Sequence, residues 1–289
     1  MTKPLDVFVT GASSGIGRAA AVELAERGHR VFAGARRAAA LEELAQTSPR
    51  LVAVPIDVTD RASVRAAVAR VDEQTAGHGV DILVNAAGYA LAGPIETLSS
   101  EAIEHQFATN VFGLLDVTRA FLPRMRERRS GRVINISSVV GRFVLPGMGV
   151  YSASKFALEA LSDALRMELA DFGVSVVLIE PAWVATDIAG ASAQQASAFP
   201  IAVDRYQELF AKTGAYIADQ ITNNAIPAEQ VARTIADAAK ATHPKTRYIL
   251  PAKGRLLVRL MRALPDRAAD RAKRRTLGLT PTSAAAEAH

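Results

Sequence analysis

Tyr151 and Lys155 stand four residues apart in Tyr151-Ser152-Ala153-Ser154-Lys155, where a helix is expected, so both side chains fall on one helical face. A phenol with an unperturbed pKa of about 10 is a poor base near neutrality. A lysine ammonium beside it favours the phenolate and lowers that value, so the pair can give or take a proton at an oxygen. Ser138, 13 residues upstream of Tyr151, can hold the same oxygen by hydrogen bonding and polarise it as negative charge develops. Alone, Tyr-x-x-x-Lys is common on amphipathic helices. Its value here comes from the serine and from a glycine-rich loop near the start of the chain.

That loop is Thr10-Gly11-Ala12-Ser13-Ser14-Gly15-Ile16-Gly17, between an apolar run and a helical stretch. Glycines let the backbone approach a pyrophosphate, and the free amides of a helix start bind its charge. The spacing is Gly-x-x-x-Gly-x-Gly, not the commoner Gly-x-Gly-x-x-Gly. Arg36 lies 19 residues beyond Gly17, Arg37 follows, and no acid is nearby. An acidic residue about 20 positions on binds the ribose 2′-hydroxyl of NAD, whereas an arginine accommodates the 2′-phosphate of NADP. NADP(H) is therefore the expected cofactor, ahead of NAD(H), with the cofactor supplying hydride, its positive nicotinamide joining Lys155 in favouring the Tyr151 phenolate, and the protein supplying alignment.

These groups need a scaffold. Short apolar runs at Asp6–Thr10, Arg30–Gly34, Leu51–Pro55, Ile82–Asn85, Arg132–Ser137 and Val174–Glu180 read as strands covered on both faces. Helical stretches alternate with them at Gly15–Arg27, Ala39–Gln46, Arg61–Thr75, Ser100–Arg128 (one helix or two) and Ser152–Asp171. Right-handed crossovers then give an α/β, Rossmann-type doubly wound parallel sheet, with ligands beyond the carboxyl ends of the strands. Asp57-Val58, Asn85-Ala86-Ala87-Gly88 and Ser137-Ser138 all follow such ends. A helix at Pro227–Lys240 and a strand at Arg247–Leu250 close the body. The domain is expected over residues 1–254, with a substrate lid over 186–226 and a basic extension over 255–289.

Composition narrows the chemistry. No cysteine is present, which excludes disulfides and thiolate chemistry, and the five histidines lack metal-ligand spacing. Apolar alternation from Leu5 leaves no room for a signal segment, and no run approaches the roughly 20 residues that span a bilayer, so a cytoplasmic protein is expected. The +5 charge originates in the tail: residues 240–289 carry net +9, leaving −4 for the rest.

In all these motifs and their order, the chain resembles the short-chain dehydrogenase/reductase family, from Leu5 to about Thr186. The resemblance implies a catalytic tetrad of Asn110, Ser138, Tyr151 and Lys155. Asn110 would hold a water linking Lys155 to solvent, and Lys155 would also bind the nicotinamide ribose. Gly11, Ser13, Ser14, Gly15, Ile16, Gly17, Arg36, Arg37, Asp57, Val58, Asn85, Ala86, Gly88 and Tyr151 would line the cofactor site, Asp57 and Val58 at the adenine. Pro181, Val184 and Thr186 lie in a segment similar to the family's Pro-Gly-x-x-x-Thr, which runs against the nicotinamide; Ala182 replaces its glycine. Ala87-Gly88-Tyr89, Asn110–Gly113, Thr118–Pro123 and Ile179-Glu180-Pro181 resemble the 17β-hydroxysteroid and retinol dehydrogenase-like branch. That branch implies an NADP preference and lipophilic ketones and alcohols.

An apolar substrate pocket is expected from Tyr89, Val140, Phe143, Val144, Leu145 and Met148, with Leu91 and a lid around Phe199 and Tyr206. The function expected is NADP(H)-dependent interconversion of a lipophilic ketone or aldehyde and its alcohol, with Tyr151 as acid/base. The alternative is an NADP(H)-binding regulatory or membrane-associated protein that retains the fold. The stretch Arg255–Leu264 places Leu256, Leu257, Leu260, Met261 and Leu264 on one face, which packs on the domain or meets an anionic membrane. Residues Asp266–His289 read as frayed, and no stacking aromatics accompany their charge, so nucleic acid is not an expected partner. A homodimer or homotetramer is expected from the apolar long helices.

Overall fold

The computed structural model describes residues 4–186 and 204–279. Its frame is a seven-stranded parallel sheet of β1 (Asp6–Thr10), β2 (Arg30–Ala35), β3 (Leu51–Pro55), β4 (Ile82–Asn85), β5 (Gly131–Ile136), β6 (Val174–Pro181) and β9 (Arg247–Leu250). The spatial order is β3-β2-β1-β4-β5-β6-β9. Chain order reverses between β1 and β4, and a crevice at such a switch point is where doubly wound sheets bind ligands.

Helices cover both faces because residues alternate along each strand. Val7 and Val9 of β1 pack with Leu24 of α1 (Gly15–Glu26) and with Val231 and Ile235 of α8 (Ala228–Lys240). Phe8 between them points the other way, to Val117, Phe121 and Met125 of α5 (Leu114–Glu127), with the Phe8 and Phe121 rings 4.8 Å apart. The helices α2 (Ala38–Gln46) and α3 (Arg61–Gln74) complete the first half.

One point the sequence left open is settled by the structure, and several boundaries shift. The stretch over 100–128 is two helices, α4 (Ser100–Phe107) and α5, joined by a π-turn at Ala108–Gly113 that carries Asn110. Single π-turns within helices recur at functional sites, where the wider turn re-aims a side chain. The helix bearing Tyr151 and Lys155, α6 (Gly149–Glu168), begins three residues before Ser152, so the pair lies within its opening turns. The tail is also more ordered than expected. After α9 (Gly254–Ala263), residues Asp266–Thr276 form α10, with an aspartate in its first turn and Lys273, Arg274 and Arg275 in its last, which complements the helix dipole. Strand ends differ by one residue: β2 reaches Ala35, β5 begins at Gly131 and ends at Ile136, and β6 reaches Pro181.

Of the expected lid, Gln207–Asn224 forms α7, and its base is tied by parallel pairing of β7 (Val184–Ala185) with β8 (Ile226–Pro227). Phe199 lies outside the described residues. Among the described residues, no helix is long and apolar enough to cross a membrane, and no cluster of metal-ligating side chains occurs.

Candidate active site

The site sits at the carboxyl ends of β1, β4, β5 and β6. The loop after β1 is shaped by its glycines. Gly11 has φ +70°, and a Cβ there would meet the Ala87 backbone at 2.9 Å. A Cβ on Gly17 would fall 2.3 Å from the Gly11 carbonyl oxygen, so only glycine lets α1 start this close to the loop. Ser14 caps α1 in extended conformation without a side-chain cap bond, which leaves the helix-start amides facing the crevice. Arg37 is held over this loop: its guanidinium donates to Ser13 Oγ at 3.2 and 3.3 Å and to the Ser13 carbonyl at 3.2 Å. Arg36 stands exposed beside it. Across the crevice, the Thr186 side chain comes within 3.3 Å of a Cβ built on Gly15. A backbone cradle and helix-start amides fit the pyrophosphate of a nicotinamide dinucleotide, with Arg36 and Arg37 beside them.

Other expected cofactor residues divide by role. Asp57 Oδ1 accepts from the Thr59 amide at 2.9 Å and its hydroxyl at 2.7 Å, which fixes the turn after β3 with Val58 buried behind it. The Ala86 and Ala87 amides both donate to Thr10 Oγ1 at 3.0 Å, tying the β4 turn to the phosphate loop. The Asn85 side chain does not face the crevice. It donates to Thr118 Oγ1 and Asn135 Oδ1, both at 2.9 Å, inside a buried network that continues from Asn135 to Ser162. Ala182, which replaces a glycine of the family pattern, fits without strain: among the described residues only Ala76 and Arg129 are non-glycines with positive φ.

The four expected catalytic residues converge. Asn110 Oδ1 accepts from the Tyr89 amide at 3.2 Å, while its Nδ2 donates to the Tyr89 carbonyl at 3.0 Å and Ser154 Oγ at 3.1 Å. A Cβ on Gly88 would sit 3.0 Å from Asn110 Oδ1 and 3.8 Å from Lys155 Nζ, so this turn packs between the two residues. Lys155 Nζ donates to the Ile136 carbonyl at 2.9 Å and lies 5.7 Å from the centre of the Tyr151 ring. Ser138 Oγ donates to the Pro181 carbonyl at 3.2 Å and accepts from the Val140 amide at 3.3 Å, with the Tyr151 hydroxyl in hydrogen-bonding reach.

The expected lowering of the Tyr151 pKa needs the cofactor's positive nicotinamide as well as Lys155; the protein's own groups act the other way, burial pushing it up to about 12 with Ser138 opposing. Burial also brings Lys155 down to about 8, against the pull of Glu159 one helical turn on. The ammonium is held by the Ile136 carbonyl, 5.7 Å from the centre of the Tyr151 ring. In this state Tyr151 is a phenol that holds its proton, the form needed to protonate a reduced carbonyl oxygen.

Around Tyr151, Val139, Val140, Leu145 and Met148 form a buried apolar cluster, with Phe143 against it. Val144 is exposed instead. Tyr89 and Leu91 pack in a neighbouring cluster with Leu98, Ala102 and Val150, and Tyr89 Oη lies 3.0 Å from His105 Nδ1. Tyr206 leaves the cavity too, its hydroxyl donating to Glu96 at the surface. Sequence reasoning missed Trp183, Tyr216, Ile217 and Val258, which complete the Tyr151 cluster. Trp183 and Tyr216 meet edge-on at 6.1 Å. Trp183, the single tryptophan, was legible as an apolar residue inside the nicotinamide segment; the others depend on how α7 and α9 fold back.

A doubly wound sheet whose phosphate cradle opens beside a Ser–Tyr–Lys set defines a nicotinamide-dependent oxidoreductase. Residues 6–197 match the sequence profile of the short chain dehydrogenases. The chain is 35% identical over 268 residues to an NADPH-dependent 3-dehydrocapnine reductase of Ornithobacterium rhinotracheale, covering 91% of this chain and 94% of that protein. It is 37% identical over 269 residues to human retinol dehydrogenase 16, covering 90% and 84%. A short chain dehydrogenase/reductase of Burkholderia phymatum, solved in complex with NAD, superposes with a TM-score of 0.79 at 26% identity, covering 97% of each chain. The chain belongs to the short-chain dehydrogenase/reductase family, has retinol dehydrogenase-like relatives, and is an oxidoreductase acting on CH–OH and carbonyl groups.

Proposed function

We propose that this protein uses NADP(H) to interconvert a lipophilic ketone or aldehyde and its alcohol, with Tyr151 as the acid/base. The observation that carries the reading is the setting of Tyr151: a buried phenol within an apolar cluster, with Lys155 beside its ring and held by the Ile136 carbonyl. Bound cofactor supplies the hydride. Gly11, Ser13, Ser14, Gly15, Ile16 and Gly17 hold its pyrophosphate, Arg36 and Arg37 its 2′-phosphate, and Asp57 and Val58 its adenine. The turn through Asn85, Ala86 and Gly88, with Pro181, Val184 and Thr186, bounds the rest of the site.

Each protein group then has one task. Ser138 donates to the substrate oxygen in place of the Pro181 carbonyl and polarises it. Tyr151 hands its proton to that oxygen as charge develops during reduction and takes it back during oxidation. Lys155, charged below about pH 8, stabilises the phenolate left behind, and Asn110 anchors the turn that faces it. Val140, Phe143, Leu145 and Met148, with Trp183 and Tyr216, exclude water from the reacting oxygen. An apolar substrate suits this wall, and the names of the retinol dehydrogenase and 3-dehydrocapnine reductase relatives support an alcohol/ketone pair.

The same reading keeps residues 1–254 as the catalytic domain and 255–289 as an extension, in a cytoplasmic homodimer or homotetramer. It also gives the extension a peripheral membrane contact. On α9, Leu256, Leu257 and Leu260 are 74%, 51% and 51% exposed, while Val258 on the opposite side packs into the Tyr151 cluster. Arg267, Arg271, Arg274 and Arg275 share a neighbouring exposed face of α10.

The test is NADPH oxidation, compared with NADH, on ketones and aldehydes graded from small polar to long apolar, repeated with Tyr151→Phe. Faster turnover of apolar substrates with NADPH, reduced 100- to 10,000-fold in the variant, is the expected result. Tight NADPH binding without turnover on any substrate refutes the reading and favours a regulatory protein.

A further inference from the structure

One helical turn beyond Lys155 lies a buried ion cluster that the mechanism above does not use. Glu180 is the penultimate residue of β6, immediately before Pro181, and is 0% exposed; Glu159 lies on α6, one turn beyond Lys155, with 8% of its side chain exposed. Two arginines bridge them. Arg142, four residues after Ser138, places Nη1 3.3 Å from Glu159 Oε2 and 3.5 Å from Glu180 Oε1. Arg247, the first residue of β9, places Nε 3.1 Å from each of the same two oxygens. The second oxygens, Glu159 Oε1 and Glu180 Oε2, are buried with no other hydrogen-bond partner.

The two arginines thus serve one oxygen of each acid and leave the other pair bare. A bare buried carboxylate oxygen is costly, and two buried acids gathered on the same two arginines cannot both stay charged without a penalty. One proton removes both costs: the two carboxyl groups converge on the same Arg247 Nε, 3.1 Å from each, so a protonated Glu180 can turn its O–H toward the Glu159 carboxylate. We propose that Glu159 and Glu180 are a one-proton acid pair that positions the catalytic residues: protonated Glu180 ties the Ser138 loop, the Tyr151–Lys155 helix and the Pro181 segment together through Arg142 and Arg247.

The geometry makes the tie specific. Pro181 offers the carbonyl that accepts from Ser138, Arg142 closes the turn that Ser138 opens, and Glu159 supports the charge of Lys155. The other charged groups facing the pair are Asp163 on α6, bonded to Arg247 at 2.7 Å and also to Arg166, and Arg262 of α9 at the rim of a 280 Å³ cavity over the cluster. Burial, and then the neighbouring Glu159, push Glu180 up to about 7, so its proton is lost within the working range of an enzyme. The folded chain then holds a proton that the unfolded chain has released above about pH 4.5. Stability supplied by that proton falls as pH rises from about 4.5 to about 7.

This proposal rests on the catalytic reading for its kinetic arm only. Glu180→Gln keeps a neutral hydrogen-bonding side chain of the same shape, and Glu180→Ala removes it. For the best ketone, the kcat of Glu180→Gln relative to wild type is expected to rise about tenfold between pH 6 and 8.5, as wild type loses the proton and the variant does not. Glu180→Ala is expected to lose tenfold or more in kcat across that range, with KM and NADPH affinity little changed. The substrate-free arm is thermal unfolding, where the Tm of Glu180→Gln should gain on wild type from pH 5 to about 7 and then level off. A kcat ratio and a Tm difference that do not change with pH, or full kcat in Glu180→Ala, overturn the proposal. A wild type that turns over nothing, with the Tm difference still rising, overturns the catalytic reading and not the acid pair.

Discussion

Replacing Lys155 by methionine should stabilise the protein while abolishing its catalysis. Lys155 is only 6% exposed, and burial holds its amine near 8 instead of its ordinary 10.5. The unfolded chain thus holds this proton more tightly than the folded chain does, by about 2.5 units, or about 3 kcal/mol at 1.36 kcal/mol per unit. The penalty is fully present below pH 8, shrinks as pH rises from about 8 to about 10.5, and is absent above that. Methionine keeps the length and the contacts of the aliphatic stem. It loses the 2.9 Å bond to the Ile136 carbonyl, worth about 1 kcal/mol, and leaves that oxygen less well served. The balance is a gain of about 1–2 kcal/mol at pH 7. Urea unfolding at pH 7 and pH 9.5 measures it: the variant's advantage should be clear at pH 7 and close to gone or reversed at pH 9.5. Destabilisation at pH 7, or an advantage that does not move with pH, would show that Lys155 sits in its site at no cost, and the reasoning fails.

Two further outcomes follow from the same residues. Arg37→Ala should raise the Kd for NADPH about 10- to 100-fold, the loss of one charge-assisted bond to a phosphate, and leave NADH binding unchanged in a fluorescence titration; equal losses for both would place Arg37 outside the 2′-phosphate site. Vesicles with anionic lipid should sediment wild type at low salt but neither Leu256→Glu/Leu260→Glu nor an Arg267/Arg271/Arg274→Gln triple variant, whereas neutral vesicles should sediment none. Binding that survives both sets of changes would remove the tail from any membrane role.

The parts of this molecule that could be read in advance are those where local chemistry and global position coincide. Continuous apolar runs specify strands buried on both faces, Gly17 is demanded by a single backbone approach, and Tyr151 and Lys155 share a face because they share a helix. Where the outcome depends on an element's neighbours, the residues alone misled. Asn85 looks identical whether it faces the crevice or the interior; only Thr118 and Asn135, 33 and 50 residues away, turn it inward. Tyr89 and Val144 had the right apolar character for a pocket, yet α4 takes the first and solvent the second. The direction of the Tyr151 shift has a related cause. The lysine's proximity is local and visible at a spacing of four, but the shift is set by burial among Val140, Leu145 and Met148 of the preceding loop and Val258 from far along the chain. The Glu159–Glu180 pair belongs to the same class. Each acid is unremarkable in its own segment, and the cost of bringing them together exists only once α6, β6 and β9 are docked. A buried charge cluster of this kind stabilises little by itself and is strongly destabilising when broken. That asymmetry makes this cluster the place where a single proton can alter the alignment of Ser138, Tyr151 and Lys155.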